Sequence, residues 1–115
     1  MSEECLFCRI VAGEIPSDIV HQDNDFLAFR DINPLAPKHI LVIPKAHISS
    51  LADLADQQQE LMGRLIILAT RLAEKEGIGE RGYRLVLNCG AEGGQVIRHL
   101  HLHLLGGRKL DDQLG

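Results

Sequence analysis

The chain has 115 residues, of which 45% are hydrophobic and 24% charged, and its net charge is −4 at pH 7. This length and apolar share predict one soluble domain over residues 1–115. The negative charge argues against binding nucleic acid through phosphate contacts, and 3% aromatic residues argue against base stacking. No apolar run approaches the roughly 20 residues that cross a bilayer, and Met1-Ser2-Glu3-Glu4 is unlike a signal peptide. We therefore expect a cytoplasmic protein without membrane contact, whose three cysteines are thiols or metal ligands.

The first predicted elements are a short helix and a hairpin. Cys5 to Ala12 is mostly apolar and is followed by Gly13, which predicts a short helix or turn. We expect its buried side to carry Leu6, Phe7, Ile10 and Val11. Ile19 to His21 and Phe26 to Arg30 are typical of strands, and the polar Gln22 to Asp25 between them predicts a hairpin turn.

A loop that contains prolines separates this hairpin from a third strand. Asp31 to Lys38 includes Pro34 and Pro37 and is predicted to be irregular. His39 to Ile43 follows as an apolar strand. We expect Pro44 to stop it, because proline cannot donate to a strand ladder.

The clearest predicted element is a long amphipathic helix. Apolar residues recur at helical spacing, and one stripe consists of Leu61, Leu65, Leu68 and Leu72. Asp53 or Asp56 is a candidate for the cap at the start of the helix, and Gly77 for its end. We expect this helix to pack on the sheet, and we assign no chemistry to its apolar residues.

The end of the chain predicts two more strands around a glycine loop. Tyr83 to Asn88 is the first strand, Gly90 to Gly94 the loop, and Arg98 to Leu105 the last strand. Strands joined by short turns, with helices at one side, indicate an α+β domain. The predicted fold is an antiparallel sheet of about five strands with one long helix and a short N-terminal helix.

The last predicted strand carries the strongest chemical signal. His99, His101 and His103 alternate with leucines, and the side chains of a strand point alternately to its two faces. As a strand, the segment would place all three imidazoles on one face, roughly 6.5 Å apart. Imidazole titrates near neutral pH, acts as a nucleophile and binds metals, so this row predicts a site for chemistry.

The loop before the histidines is a candidate phosphate pocket. Asn88 to Gln95 contains three glycines. Glycine lets the backbone approach an anion closely and turn its N–H groups toward it. An imidazole beside such a loop can attack phosphorus while its neighbour holds the phosphoryl oxygens.

This combination resembles the histidine triad nucleotide-binding proteins, whose signature is His-x-His-x-His-x-x with apolar x. Here every x is Leu. The likeness covers nearly the whole chain and includes, in order, Cys5-Leu6-Phe7-Cys8, Glu14-Ile15-Pro16, Ala28-Phe29-Arg30-Asp31-Ile32, Ala36-Pro37-Lys38-His39, Val42-Ile43-Pro44-Lys45-Ala46-His47-Ile48 and Gly93-Gly94-Gln95. The chain is most similar to the purine nucleoside phosphoramidate hydrolases, in particular to their bacterial members.

The resemblance implies a hydrolase that cleaves purine nucleoside 5′-phosphoramidates through a nucleotidyl-histidine intermediate. It places His101, His103 and His39 in the catalytic set. His101 would attack the α-phosphorus and His103 would donate to the phosphoryl oxygens. His39 would be an orienting residue near the triad. It also implies a ribose contact from Asp31, which composition alone would assign to turn capping. The apolar base slot would be Ile32, Phe29, Phe7, Leu6 and Ile10, and the phosphate side would be Asn88, Gly94, Gln95 and the backbone of Val96.

A metal site is a second implication. Some members of the family hold zinc with residues that match Cys5, Cys8, His47 and His99, and two cysteines are half the ligands of a structural zinc site. The resemblance thus implies a structural zinc ion and no organic cofactor. The alternative is that both cysteines are ordinary buried thiols and that His99 is a hydrogen-bonded residue beside the site.

The resemblance further implies a homodimer that binds purine nucleotides, since family members are homodimers. Val96 is a departure, because many members have Ser there, and leaving-group preference is therefore expected to differ. Arg98 stands where an aromatic residue is frequent, and the tail after Gly107 is short and polar.

Two other functions fit the same residues. A metallohydrolase would use His99, His101 and His103 directly as ligands and would need a metal for activity. A nucleotide-binding or scaffold protein would bind a nucleotide without physiological turnover. The covalent-histidine hydrolase accounts for the glycine loop, which a metallohydrolase would leave unexplained. The binding protein stays open as the biological role, because the residues that bind a nucleotide also catalyse.

Overall fold

The chain folds as two helices and five strands in a computed structural model that describes residues 5–114. In chain order the elements are α1 (Leu6–Val11), β1 (Ile19–Gln22), β2 (Phe26–Arg30), β3 (Lys38–Pro44), α2 (Gln59–Lys75), β4 (Tyr83–Leu87) and β5 (Leu102–Gly106). The acidic start of the chain and Gly115 lie outside the described residues. The predicted α+β class, with one long and one short helix, is confirmed.

All strands form one antiparallel sheet in the order β1-β2-β3-β5-β4. The central strand β3 is buried along six of its seven residues, as expected for an apolar strand covered on both faces. On one face Ile40 and Val42 enter the main core under α2, and on the other Leu41 and Ile43 enter a smaller core under α1. The two faces of the sheet therefore have separate cores, one covered by each helix.

The long helix packs by the stripe that its sequence predicts. Leu65, Ala69, Leu72 and Ala73 are its buried residues. It begins at Gln59, and the side chain of the cap residue Gln58 does not bond to the first turn of the helix, so the prediction of an aspartate cap is wrong. Asp53 instead accepts a hydrogen bond from Ser50, and Asp56 opens a 3-10 turn before the helix. None of the described helices is long and apolar enough to span a bilayer.

The last strand begins four residues later than predicted, at Leu102, and His99 and His101 precede it. Its partner β3 ends at Pro44, whose carbonyl oxygen accepts from the His99 ring at 2.8 Å. The ladder therefore ends at the pair Val42 and Leu102. The side chains still alternate, because Leu100, Leu102 and Leu104 all enter the main core.

Candidate active site

A chain of hydrogen bonds fixes the ring of His103, the last triad histidine. The Leu35 N–H donates to Nδ1 of His39 at 3.1 Å, so the proton of neutral His39 is on Nε2. That nitrogen lies 3.0 Å from Nδ1 of His103 and donates to it. The Nε2 of His103 therefore carries the remaining proton, so this ring acts as a donor at its free end.

The ring of His101 has the opposite tautomer. Its Nδ1 lies 2.7 Å from the carbonyl oxygen of His99, and because a carbonyl only accepts, the proton is on Nδ1. Nε2 then has a free lone pair. The rings of His101 and His103 are 4.9 Å apart at their centroids, closer than the spacing predicted from a flat strand. A nucleophilic nitrogen and an N–H donor thus lie side by side.

Burial keeps these rings neutral. It lowers the pKa of His39 against the opposing charge of Asp31, and the pKa of His101 against the hydrogen bond to the His99 carbonyl and the charge of Asp31. Burial, the neighbouring His101 and His39 together lower the pKa of His103 to about 4. At neutral pH the site therefore holds imidazoles rather than imidazolium ions, which is the state in which a lone pair is free to attack.

The short helix α1 supports these rings from the other side. The Phe7 ring meets His101 edge-on, with centroids 5.1 Å apart, and meets His99 at 6.0 Å. Phe7 also packs edge-to-face against Phe29 at 5.4 Å. The orientation of His101 therefore depends on aromatic packing as well as on its hydrogen bond.

Two thiols and two imidazoles converge beside α1. Their ligand atoms all lie within 4.8 Å of one another, and the residues are Cys5, Cys8, His47 and His99. The closest pairs are Cys8 Sγ with His47 Nδ1 at 3.2 Å and Cys5 Sγ with His99 Nδ1 at 3.3 Å. Tetrahedral zinc with sulfur and nitrogen ligands places such atoms about 3.3–3.8 Å apart. We call this group the Cys/His cluster.

The hydrogen bonds of the cluster leave the correct nitrogens free for a metal. The Pro44 carbonyl accepts a hydrogen bond from the Nε2–H of His99, so the lone pair is on Nδ1, which faces the thiols. Ser49 Oγ lies 3.2 Å from Nε2 of His47, and Nδ1 of His47 faces Cys8. A metal-binding histidine is commonly oriented by a partner on its other nitrogen. The residues therefore fit a structural zinc ion.

The structure argues against a metal centre made of the three triad histidines. Among the described residues, no cluster of possible ligands combines His99, His101 and His103. A second cluster joins Asp31, His39 and His103. There the nitrogens are 3.0 Å apart and the ring centroids 5.3 Å, so the two rings point at each other as in a hydrogen bond. Chelation of one ion would need both nitrogens to point at a third position.

Asp31 makes the turn-capping bond weighed from the sequence and also lies beside the histidines. Its Oδ1 accepts from the Asn33 N–H at 2.8 Å, which is the turn-capping bond. Its Oδ2 lies 3.5 Å from Nε2 of His39. The carboxylate is thus held beside the histidines at the end of β2.

The glycine loop is held in one shape by its own bonds. Gly94 has a φ of +84°, a conformation that favours glycine, and a Cβ at Gly93 would collide with the carbonyl oxygen of Cys89. Asn88 Nδ2 donates to the Gly93 carbonyl at 2.8 Å. Gln95 bonds to protein groups at both ends of its amide, so its side chain supports the loop.

A family comparison explains this arrangement. The model of the HIT domain family matches residues 12–110. The chain belongs to the HIT domain family. The purine nucleoside phosphoramidase of Escherichia coli (strain K12) is 50% identical over 114 residues, which cover 99% of this chain and 96% of that protein. This confirms the resemblance stated from the sequence.

Solved HIT structures share the fold over nearly the whole chain. A HIT family hydrolase from Legionella pneumophila Philadelphia 1 superposes with a TM-score of 0.94 at 51% identity, covering 96% of this chain and 99% of that one. A zinc-bound histidine triad family protein from Mycobacterium smegmatis gives a TM-score of 0.81 at 33% identity, covering 97% and 81%.

The residues predicted to line a base slot divide into two groups. Phe7, Ile10 and Phe29 are buried in the smaller core, where Phe7 meets the rings of His99 and His101, and we call these three residues the floor. Ile32 is 89% exposed, and Leu6 is also exposed, against the prediction that it lies on the buried side of α1. Ile32 is therefore free to contact a ligand above the floor.

Val96 is also exposed, at 84%. It lines a depression of about 400 Å³ together with Cys5, Leu6, His47, Ser49, Ile97 and Arg98. In the part of the chain that the structure describes, its N–H has no hydrogen-bond acceptor. This amide is available to an anion at the end of the glycine loop.

Three groups that orient the histidines could not be identified from the sequence because they belong to the backbone, although a backbone carbonyl was expected to accept the second ring N–H of His101. They are the Leu35 N–H, the Pro44 carbonyl and the His99 carbonyl. No side-chain pattern signals a main-chain partner 55 residues away, as for Pro44 and His99. Ser49, which orients His47, lies only two residues from it, so local spacing was an available signal.

Proposed function

We propose that this HIT protein is a hydrolase that cleaves purine nucleoside 5′-phosphoramidates through a nucleotidyl-histidine intermediate. One observation carries the proposal: neighbouring rings hold a free lone pair on His101 Nε2 and a proton on His103 Nε2. The purine nucleoside phosphoramidase of E. coli, at 50% identity, supports the same reaction class.

In the first step His101 Nε2 attacks the α-phosphorus, and the P–N bond to the amine breaks. The amine takes a proton from solvent water as it leaves, and the nucleotide is bonded to the histidine; the water that attacks in the second step returns a proton to solvent. The His99 carbonyl stabilises the positive charge that develops on the His101 ring, since it accepts the Nδ1–H. The same hydrogen bond holds the His101 ring in the orientation from which Nε2 attacks.

His103 is proposed to donate its Nε2–H to a phosphoryl oxygen during this attack. The donor is set in advance by His39, so little reorganisation is needed as negative charge builds up. His39 does not touch the substrate in this scheme and is a positioning residue. In the second step water attacks phosphorus, the P–N bond to His101 breaks, and the nucleoside monophosphate is released.

The remaining contacts follow from the positions of the groups around the histidines. We assign the ribose hydroxyls to Asp31, whose carboxylate lies beside His39, and the base to the Phe7 and Phe29 floor with exposed Ile32. The phosphate is assigned to the loop beside Gly94 and to the free amide of Val96; the Gly94 N–H itself donates to the Ala91 carbonyl at 3.1 Å. Asn88 and Gln95 hold this loop by hydrogen bonds, as described above.

We further propose that the Cys/His cluster holds a structural zinc ion. Cys5, Cys8, His47 and His99 would bind it, and it would fasten α1 to the segment after β3. The zinc-bound relative from M. smegmatis supports this assignment. No organic cofactor enters the scheme.

We also propose a cytoplasmic homodimer. The edge strand β4 has a free side and half-buried residues throughout, and Ile66 and Ile67 are exposed on α2. A second copy would cover this surface, because an open edge and exposed isoleucines favour association. Three free cysteines fit a reducing compartment.

The decisive experiment compares hydrolysis of adenosine 5′-phosphoramidate by the wild type, His101→Ala and His21→Ala, with and without a chelator. His21 is the matched control because, among residues 5–114, its ring bonds only to Asp23 on the hairpin. We expect the activity to vanish in His101→Ala alone, and mass spectrometry of quenched wild type to find a nucleotidyl adduct on His101. Loss of activity on chelation from a folded protein would favour the metallohydrolase, and binding of AMP without turnover would favour the binding module.

A further inference from the structure

We propose that the Cys/His cluster positions the nucleophile, because His99 belongs to both groups: its ring to the cluster and its carbonyl to His101. This inference rests on the proposed function for the role of His101. It makes His99 a positioning residue and makes metal occupancy a determinant of the orientation of His101.

The first path between the two groups runs through His99 alone. Its ring is fully buried and fixed at both nitrogens, by Pro44 on one side and by the thiols on the other. Its carbonyl oxygen accepts from His101 Nδ1 at 2.7 Å. A ring fixed at both ends restricts the rotation of its own backbone, and the carbonyl is part of that backbone. A metal on Nδ1 would therefore hold the acceptor that selects the His101 tautomer.

The second path runs through α1. This helix has only six residues, too few to be stable without tertiary contacts. Cys5 caps its start by accepting from the Cys8 N–H at 3.3 Å, and both thiols face the cluster. Phe7 lies between them in sequence and packs against the rings of His99 and His101. A metal that binds both thiols would fix the helix and, with it, the aromatic wall behind the nucleophile.

Both paths predict a selective defect when the metal is lost. The His101 ring would sample both tautomers and a wider range of orientations, while Asp31 and the glycine loop would keep their own bonds. We expect kcat to fall about tenfold, since small misplacement of a reacting group is costly, and KM to change little.

The test uses two variants that each remove one ligand. Cys8→Ser also removes the 3.5 Å contact of that thiol with His99, whereas His47→Asn leaves both thiols unchanged. His21→Asn is the control, because it removes a surface imidazole from the same sheet. Bound zinc per chain, kcat and KM are measured for each, together with the ¹⁵N chemical shifts of the His101 ring. We expect both cluster variants to lose zinc, kcat and the single Nδ1–H tautomer, and the control to keep all three.

The wild type stripped of metal by a chelator and then titrated with zinc gives the same comparison without a substitution, should a variant fail to fold. A folded, metal-free protein with wild-type kcat and an unchanged His101 tautomer would overturn the inference. So would a wild type that binds no zinc. Wild type that shifts its His101 resonances with zinc but hydrolyses no phosphoramidate would uphold the coupling and refute the proposed function.

Discussion

His39 donates its Nε2–H to Nδ1 of His103 across 3.0 Å. The two residues lie on β3 and on β5, which are neighbouring strands, and the direction of the bond is set by the Leu35 N–H on the far side of the His39 ring. The two rings are therefore joined by a neutral hydrogen bond, not an ion pair, and this bond leaves the proton of His103 on Nε2. Several consequences can be measured.

Replacing His39 should slow the reaction more than it weakens binding. His39→Ala removes the partner of His103 Nδ1, and we expect kcat to fall about 10- to 100-fold, as for other partners that orient a functional group. His39→Gln keeps an N–H donor and should retain more of the activity. Steady-state kinetics with adenosine 5′-phosphoramidate decides this. Equal losses in the two variants would contradict the role of the donated hydrogen bond.

Stability should fall as the pH drops below neutral. The pKa of His103 is lowered from 6.5 to about 4 in the fold, so between these values the unfolded state binds a proton that the folded state does not. The contribution is complete above pH 6.5, declines as the pH falls towards 4, and amounts to roughly 3 kcal/mol at most.

Urea unfolding at several values between pH 7.5 and 4 measures this slope. His103→Asn removes the titrating group, so its free energy of unfolding should depend less on pH than that of the wild type, whatever its absolute stability. Parallel curves for the two proteins would show that His103 does not carry the linkage.

The ion pairs at the end of α2 should contribute to stability. Glu76 is only 12% exposed and accepts from both terminal nitrogens of Arg30, at 2.9 and 3.0 Å, with Lys38 at 3.2 Å. The Arg30 guanidinium is the main cause of the lowered pKa of Glu76. Among the described residues, Glu76→Gln leaves Lys38 without a charged partner and leaves Arg30 with Asp18 alone, 3.6 Å away. We expect a loss of about 1–2 kcal/mol.

Glu60→Gln is the matched comparison, because Glu60 is exposed and lies 3.8 Å from Arg64 in a helical pair. Exposed pairs contribute little, so its free energy of unfolding should stay within about 0.5 kcal/mol of wild type. Urea unfolding at pH 7 measures both variants. Similar values for Glu60→Gln and Glu76→Gln would argue that the network beside β3 is not stabilising.

Gly93→Ala should weaken nucleotide binding. The added Cβ meets the carbonyl of Cys89, which is backbone and can give way only if the loop moves. We expect the dissociation constant for AMP to rise about tenfold, which equals a loss of about 1.4 kcal/mol. Gly63→Ala is the control: a Cβ there meets no atom within 4 Å, and alanine favours the helix. Calorimetric titration that finds equal affinities for the two variants would exclude the loop from the site.

The strand pattern of this chain could be read from the sequence because it depends on local alternation. The apolar residues of β3 and the leucines among the triad histidines indicate which residues enter the cores, and Leu100, Leu102 and Leu104 do so. The start of β5 could not be read in this way. Before Leu102 the chain bonds to other groups instead: the Leu100 N–H donates to the Ile48 carbonyl and the His99 ring to the Pro44 carbonyl, and both partners are about 50 residues away.

The candidate site was predictable as a set of residue types but not as a set of protonation states. The alternating histidines place lone pairs and N–H groups on one side, yet their tautomers depend on contacts between segments far apart in sequence. The same holds for Phe7 and Phe29: their apolar character is evident in the sequence, while their edge-to-face contact under the histidines depends on the docking of α1. Composition alone could not show that Phe7 and Phe29 are buried while Ile32 is exposed.

The tautomers of three histidines are chosen by main-chain groups, and this has a consequence for natural variation. A peptide N–H or carbonyl survives almost any exchange of its side chain. Leu35 is 71% exposed, so other side chains are tolerated at this position while its backbone N–H still donates to Nδ1 of His39. Only proline at position 35 would remove this hydrogen bond, because proline has no backbone N–H. The proton pattern of this site can thus be inherited unchanged through substitutions that make the surrounding loop look unrelated.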